Sequence, residues 1–155
     1  MKTPPLRLVE YFFTKIQVEP KVGKVGKDEV FPLQTRVKFT AGQSESDLVV
    51  HLGVRKGADS ADEKGTYAFE VEVCGFFSAD PALFAKDREK ALSQIKVNGS
   101  SMLLGSVREL ILQLTSRGPF KSYLIPALSF TEFAKQPLLL QKASRTTHGG
   151  VLKSL

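Results

Sequence analysis

The stretch Tyr67-Ala-Phe-Glu-Val-Glu-Val-Cys-Gly-Phe-Phe77 sets Tyr67, Phe69, Val71, Val73 and Phe77 in one phase, with Glu70 and Glu72 in the other. A side-chain period of two marks a strand with one buried face and one wet face. The same period runs back through the chain. Asp47 to Arg55 holds Leu48, Val50, Leu52 and Val54 in phase, and Phe31 to Ala41 sets Phe31, Leu33, Val37, Phe39 and Ala41 against Gln34, Arg36, Lys38 and Thr40. Arg7 to Val18 is rich in β-branched and aromatic residues and has no helical stripe. Glycine- and charge-rich connections, Lys21 to Glu29, Gly42 to Ser46 and Lys56 to Gly65, separate these segments. Four such segments in a row predict a half-buried, four-stranded antiparallel sheet.

Beyond residue 80 the period changes. Asp80-Pro81 reads as an N-cap followed by a first helical residue, opening a turn or two that ends near Asn98-Gly99. Ser101 to Arg117 is the strongest helical stretch. Leu103, Leu104, Val107, Leu110, Ile111 and Leu114 make a wide apolar face, and Gly118-Pro119 ends it. Phe120 to Leu128 is an apolar, proline-containing crossover. A second helix is predicted from Ser129, with Glu132 three residues on completing a capping box and Pro137 interrupting it. The fold class is therefore α+β. Residues 1–142 form one domain, and residues 143–155 a flexible basic tail.

Composition narrows the function. The net charge of +6 is carried by the C-terminal half, because residues 1–90 hold 14 basic and 14 acidic side chains and residues 91–155 hold 8 and 2. No apolar run is long enough to span a bilayer. The N-terminal Met1-Lys2-Thr3-Pro4-Pro5 lacks the apolar core of a signal peptide, and Cys74 is the single cysteine, so a cytoplasmic location is expected.

Reactive groups are few. With His51 in a strand, His148 in the tail and Cys74 in a strand, no nucleophile–base set is legible, and Cys74 reads as a packing thiol. Glu70 and Glu72 share a strand phase and read as a solvated face, not an acid–base pair. Asp59, Asp62 and Glu63 depart from a calcium loop. Lys21-Val-Gly-Lys-Val-Gly-Lys27 lacks phosphate-loop spacing and a following helix, and there is no zinc-ligand spacing. Neither enzymatic activity, nor a cofactor, nor a metal is expected. Large apolar groups are in excess instead: eleven phenylalanines, with Phe12-Phe13 and Phe76-Phe77 adjacent, so that each pair points one ring to each sheet face. A sheet with rings on both faces needs covering twice.

Four pieces in order resemble the SecB family of export chaperones, over roughly residues 6–135. Thr14-Lys-Ile-Gln-Val-Glu-Pro20 is similar to the end of the family's first strand. Phe69-Glu-Val-Glu-Val-Cys-Gly-Phe-Phe-Ser78 is similar to its fourth. Met102-Leu-Leu-Gly-Ser-Val-Arg-Glu-Leu-Ile-Leu-Gln-Leu-Thr-Ser-Arg-Gly-Pro-Phe120 resembles its long helix with the Arg-Glu and Ser-Arg-Gly-x-Phe features. Ile125-Pro-Ala-Leu-Ser-Phe130 resembles the segment that follows. The resemblance implies a four-stranded antiparallel sheet, a long helix, a crossover and a second helix, dimers formed partly through the long helix, and tetramers made of two dimers. It also implies a holdase role without nucleotide, serving protein export or a dedicated client. Its partners would be unfolded or pre-export polypeptides, with SecA or an antitoxin as further candidates, and it implies no membrane insertion.

The client groove it implies runs between the sheet and the crossover with the last helix. It is lined by Val37, Phe39 and Ala41 on the second strand, Phe120, Tyr123 and Ile125 in the crossover, and Phe130 and Phe133 beyond. Three features depart from the family: the C-terminal half is basic where the family is acidic, 143–155 offers one histidine and no cysteine for a zinc-binding tail, and Gly99-Ser100 stands where the family has Cys-Pro. The alternative is a basic nucleic-acid-binding module, resting on a pI near 9.5 and on Lys121, Lys135, Lys142, Arg145 and Lys153. A small-ligand enzyme on an α+β scaffold is a third and weaker expectation.

Overall fold

A computed structural model of the chain describes residues 4–59 and 65–140. The tail assigned to 143–155, with the domain boundary before it, and Asp62 and Glu63 lie outside the described residues. The strands are β1 Leu6–Lys21, β2 Gln34–Ala41, β3 Asp47–Lys56 and β4 Thr66–Ala79, followed by one helix, α1 Arg88–Ser116, and a short strand, β5 Leu138–Leu139. The sheet order is β1-β4-β3-β2-β5. The first four strands pair antiparallel, as expected, but the sheet has a fifth strand and is mixed: β5 runs parallel to β2, with Phe39 opposite Leu138 and Thr40 opposite Leu139.

Strand β1 does not alternate in sequence because its pairing with β4 slips between Leu8 and Glu10 and again between Phe13 and Lys15. Each irregularity inserts one unpaired residue and resets the phase. Phe12 and Phe76 consequently meet on the outer face, with ring centroids 6.0 Å apart, while Phe13 and Phe77 turn to the core.

The helix is longer than the sequence suggests, with 29 residues running straight through Gly99-Ser100. Its N-terminus is capped by Asp87, whose carboxylate accepts the Lys90 N–H at 3.1 Å. Gly99 does not break it, because a side chain there would already touch Phe77 and Val50 at 3.4 Å. The glycine buys close approach of helix to sheet, and Ser100 returns its hydroxyl to the Lys96 carbonyl at 2.8 Å. Asp80 and Pro81 do open a helical segment, but it is one 3-10 turn, Pro81–Phe84, with the Asp80 side chain accepting the Ala82 N–H.

The second helix predicted from Ser129 is also a single 3-10 turn, Thr131–Phe133. Ser129 bonds the Thr131 hydroxyl instead of closing a capping box. Phe130, the cap residue, is buried in the core, and only three residues separate the turn from Pro137. The core lies between the sheet and α1, where Phe39, Val50, Leu52, Val71 and Val73 meet Leu103, Val107 and Ile111 and the crossover adds Ile125 and Phe130.

Candidate functional site

The crossover is pinned to the end of α1. The Tyr67 hydroxyl accepts the Phe120 N–H at 3.0 Å and donates to the Thr115 carbonyl at 3.2 Å. Thr115 accepts the Tyr123 N–H at 2.9 Å and donates to the Ile111 carbonyl at 2.7 Å, and Arg108 donates to the Ile125 carbonyl at 2.8 Å. The Tyr67 bond takes up one carbonyl that the helix end leaves over, and together the bonds hold the apolar crossover against the sheet.

The residues expected to line a client groove are brought together, and half of them are sealed. Val37, Phe39, Ile125 and Phe130 are at most 2% exposed and share one core cluster. Tyr123 and Phe133 are half-buried against that cluster, Tyr123 edging onto Phe69 and Phe133 onto Phe130. Phe120 is half-buried and lies edge-on to Tyr67, with centroids 5.6 Å apart. Ala41 is placed differently: it lines an open cavity.

That cavity, of about 250 Å³, lies between the β2–β3 hairpin, the Pro81–Phe84 turn and the first half of α1. Its apolar wall is Ala41, Leu48, Phe84, Leu92, Ile95 and Leu138. Its rim is polar, with Arg88 reaching Glu45 at 3.4 Å between two exposed side chains. At one side the cavity meets the end of β2 at Ala41, next to Leu138. Only Phe39 and Thr40 of β2 have a strand neighbour there, and the Gln136 amide donates to the Val37 carbonyl at 2.8 Å. From Gln34 to Lys38 that edge has no strand partner among the described residues.

The segment 131–140 reaches the cavity through Leu138 and is fastened by few polar contacts. Lys96, 5% exposed, donates its ammonium to the Gln136 carbonyl and stands 5.5 Å from the centre of the Phe39 ring. Burial pulls its pKa below the ordinary 10.5. Ser93 donates to the Ala134 carbonyl at 3.3 Å. Sequence reasoning missed Leu48, Phe84, Leu92, Ile95 and Leu138 as a wall. The one signal was the run Leu138-Leu139-Leu140 after Pro137, too short to show a period.

The opposite sheet face is charged and internally paired, with Lys15 on Glu70 at 2.8 Å and Arg36 on Glu72 at 3.0 Å. Lys15 holds the Glu70 carboxyl below its ordinary range. Cys74 is buried on this face, and burial pushes its thiol up, away from thiolate. Among the described residues no three His, Cys, Asp or Glu side chains gather as a metal site, and no helix is long and apolar enough to cross a membrane.

No family model matches the chain, and no curated protein matches it in sequence. Solved structures do. A SecB-like chaperone of Mycobacterium tuberculosis, in complex with a ChAD peptide from the HigA1 antitoxin, superposes with a TM-score of 0.58 at 14% identity, covering 81% of this chain and 91% of that one. A protein of unknown function from Streptococcus agalactiae gives a TM-score of 0.45 at 12% identity, over 79% of this chain and 97% of that one. The first likeness shows that the chain has a SecB-like fold.

Proposed function

We propose that this SecB-like fold works as a holdase, which takes up non-native polypeptides as extended segments and returns them without chemical change. The observation that carries this is an apolar cavity at the end of β2, a strand whose outer edge carries only a two-residue partner. A backbone edge accepts any sequence that can extend, and a shallow aliphatic and aromatic wall rewards apolar side chains without selecting a particular one. Such a site prefers chains that have lost their fold, because only they offer extended apolar segments, and holding them draws the folding equilibrium towards the unfolded side.

The fold likeness supports the same reading, since that neighbour was solved holding a peptide from an antitoxin. An antitoxin segment is accordingly a better-supported client than a pre-export chain, and docking on SecA is a further possibility of the export reading alone. Self-association through β1 and α1 fits the half-exposed Tyr11, Ile16 and Leu114, and repeating the site within a homo-oligomer raises avidity for a long chain.

The test uses fluorescent, reduced and carboxymethylated α-lactalbumin, a chain that stays unfolded in buffer. It is expected to bind, and Phe84→Ala with Leu92→Ala to weaken binding about five- to thirtyfold, the equivalent of about 1–2 kcal/mol. Both side chains are half-buried, so the far-UV circular dichroism of the double variant should stay that of the parent. Unaltered affinity in a folded double variant removes the cavity from the site. Equally tight binding of single-stranded RNA at physiological salt favours the nucleic-acid reading instead.

A further inference from the structure

The β2 edge beside the cavity already has an occupant, and it comes from the chain itself. Leu138 and Leu139 lie extended and parallel to β2, opposite Phe39 and Thr40. Leu138 is half-buried and forms part of the cavity wall, while Leu139 is 50% and Leu140 84% exposed. A two-residue strand gains little from its own pairing. What holds the segment is the Gln136 amide on the Val37 carbonyl, Lys96 on the Gln136 carbonyl and Ser93 on the Ala134 carbonyl. These contacts fix residues 134–136 and leave the leucines beyond them resting on the edge by one side chain and a short ladder.

We propose that Leu138–Leu140 is a built-in competitor for the holdase site: a leucine-rich strap that occupies the β2 edge as a client would and is displaced when one binds. This rests on the holdase reading and specifies its binding mode. The client class follows from the strap's own chemistry. It is an extended run of aliphatic residues lying parallel to β2, with one side chain turned to the cavity and the next to solvent. The strap sets a threshold. A segment that pairs with Phe39 and Thr40 and fills the cavity more fully than Leu138 does displaces it, whereas a single stray leucine does not. A site closed by its own strap for most of the time binds more weakly in proportion to the fraction left open.

Two full-length variants test this with the same labelled α-lactalbumin. Leu138→Asp with Leu139→Asp disfavours the docked strap, and the apparent Kd is expected to fall about three- to tenfold. Thr40→Cys with Leu139→Cys places two thiols directly opposite one another in register, and Cys74 is buried away from them. Oxidation of that pair should lock the strap and abolish binding, and reduction should restore it. Circular dichroism and melting temperature confirm that each variant is folded. Equal affinity of the oxidised and reduced lock, or an unchanged Kd in the folded aspartate variant, overturns the strap while leaving the holdase reading intact. A lock that forms only between molecules also overturns it, because the occupant would then be a second copy's strand. Failure of the parent and of both variants to bind takes down the holdase reading and the strap together.

Discussion

Lys96 shows how one buried side chain ties the fold to pH. Its ammonium is nearly enclosed, with a backbone carbonyl and a ring for company and no paired carboxylate among the described residues, so desolvation lowers its folded pKa below the 10.5 of an exposed lysine. Between those two values the unfolded chain binds more protons than the folded one, so stability rises with pH across that window. The penalty of burying the charge is complete below it. The difference in urea midpoint between the parent and Lys96→Met is therefore expected to change in the parent's favour from pH 7 towards pH 10. A constant difference would mean that the ammonium is hydrated in the folded state. Gly99 makes a second point at this scale. A methyl there meets Phe77 and Val50 at ordinary contact distance, and alanine favours a helix, so Gly99→Ala should lie within about 1 kcal/mol of the parent. Gly99→Leu has nowhere to go and should cost about 1–3 kcal/mol by thermal melting.

At the scale of elements, the strands were legible because burial of one face writes itself into the sequence with a period of two. Leu48, Val50, Leu52 and Val54, and likewise Phe69, Val71 and Val73, are buried in phase as expected. What escaped had a physical reason each time. The first half of α1 turns a glycine and a serine towards the sheet, so residues that usually end a helix here allow it to pack closely. The segment after Ser129 carries a helix-start signature, but Phe130 is drawn into the core and the helix shortens to one turn. Strand β5 has two residues and no period to detect. Of the residues expected to line a client groove, Val37, Phe39, Ile125 and Phe130 are sealed in the core. Sequence shows which residues are apolar; it does not show which of them the crossover covers. The joint between helix and sheet should respond accordingly. Leu103 is fully buried against both, and Leu103→Ala is expected to lower stability by about 2–5 kcal/mol in denaturant unfolding.

For the whole molecule the unfinished surface is the side where β1 meets the end of α1. Ile16, Val18, Tyr67, Leu114 and Pro119 line a cleft there, and Ile16 and Leu114 stay 51% and 39% exposed. Ile16→Asp with Leu114→Asp is expected to reduce the mass seen by light scattering to that of one chain, with the far-UV spectrum retained. An unchanged mass would place any self-association elsewhere. Strand β1 also forms the outer margin of the sheet along 16 residues, and two register slips interrupt it. Those interruptions coil the margin and spoil it as a flat template. The kinks deny the endless edge-to-edge stacking, and with it the amyloid-like growth, that a straight ribbon of this length would invite.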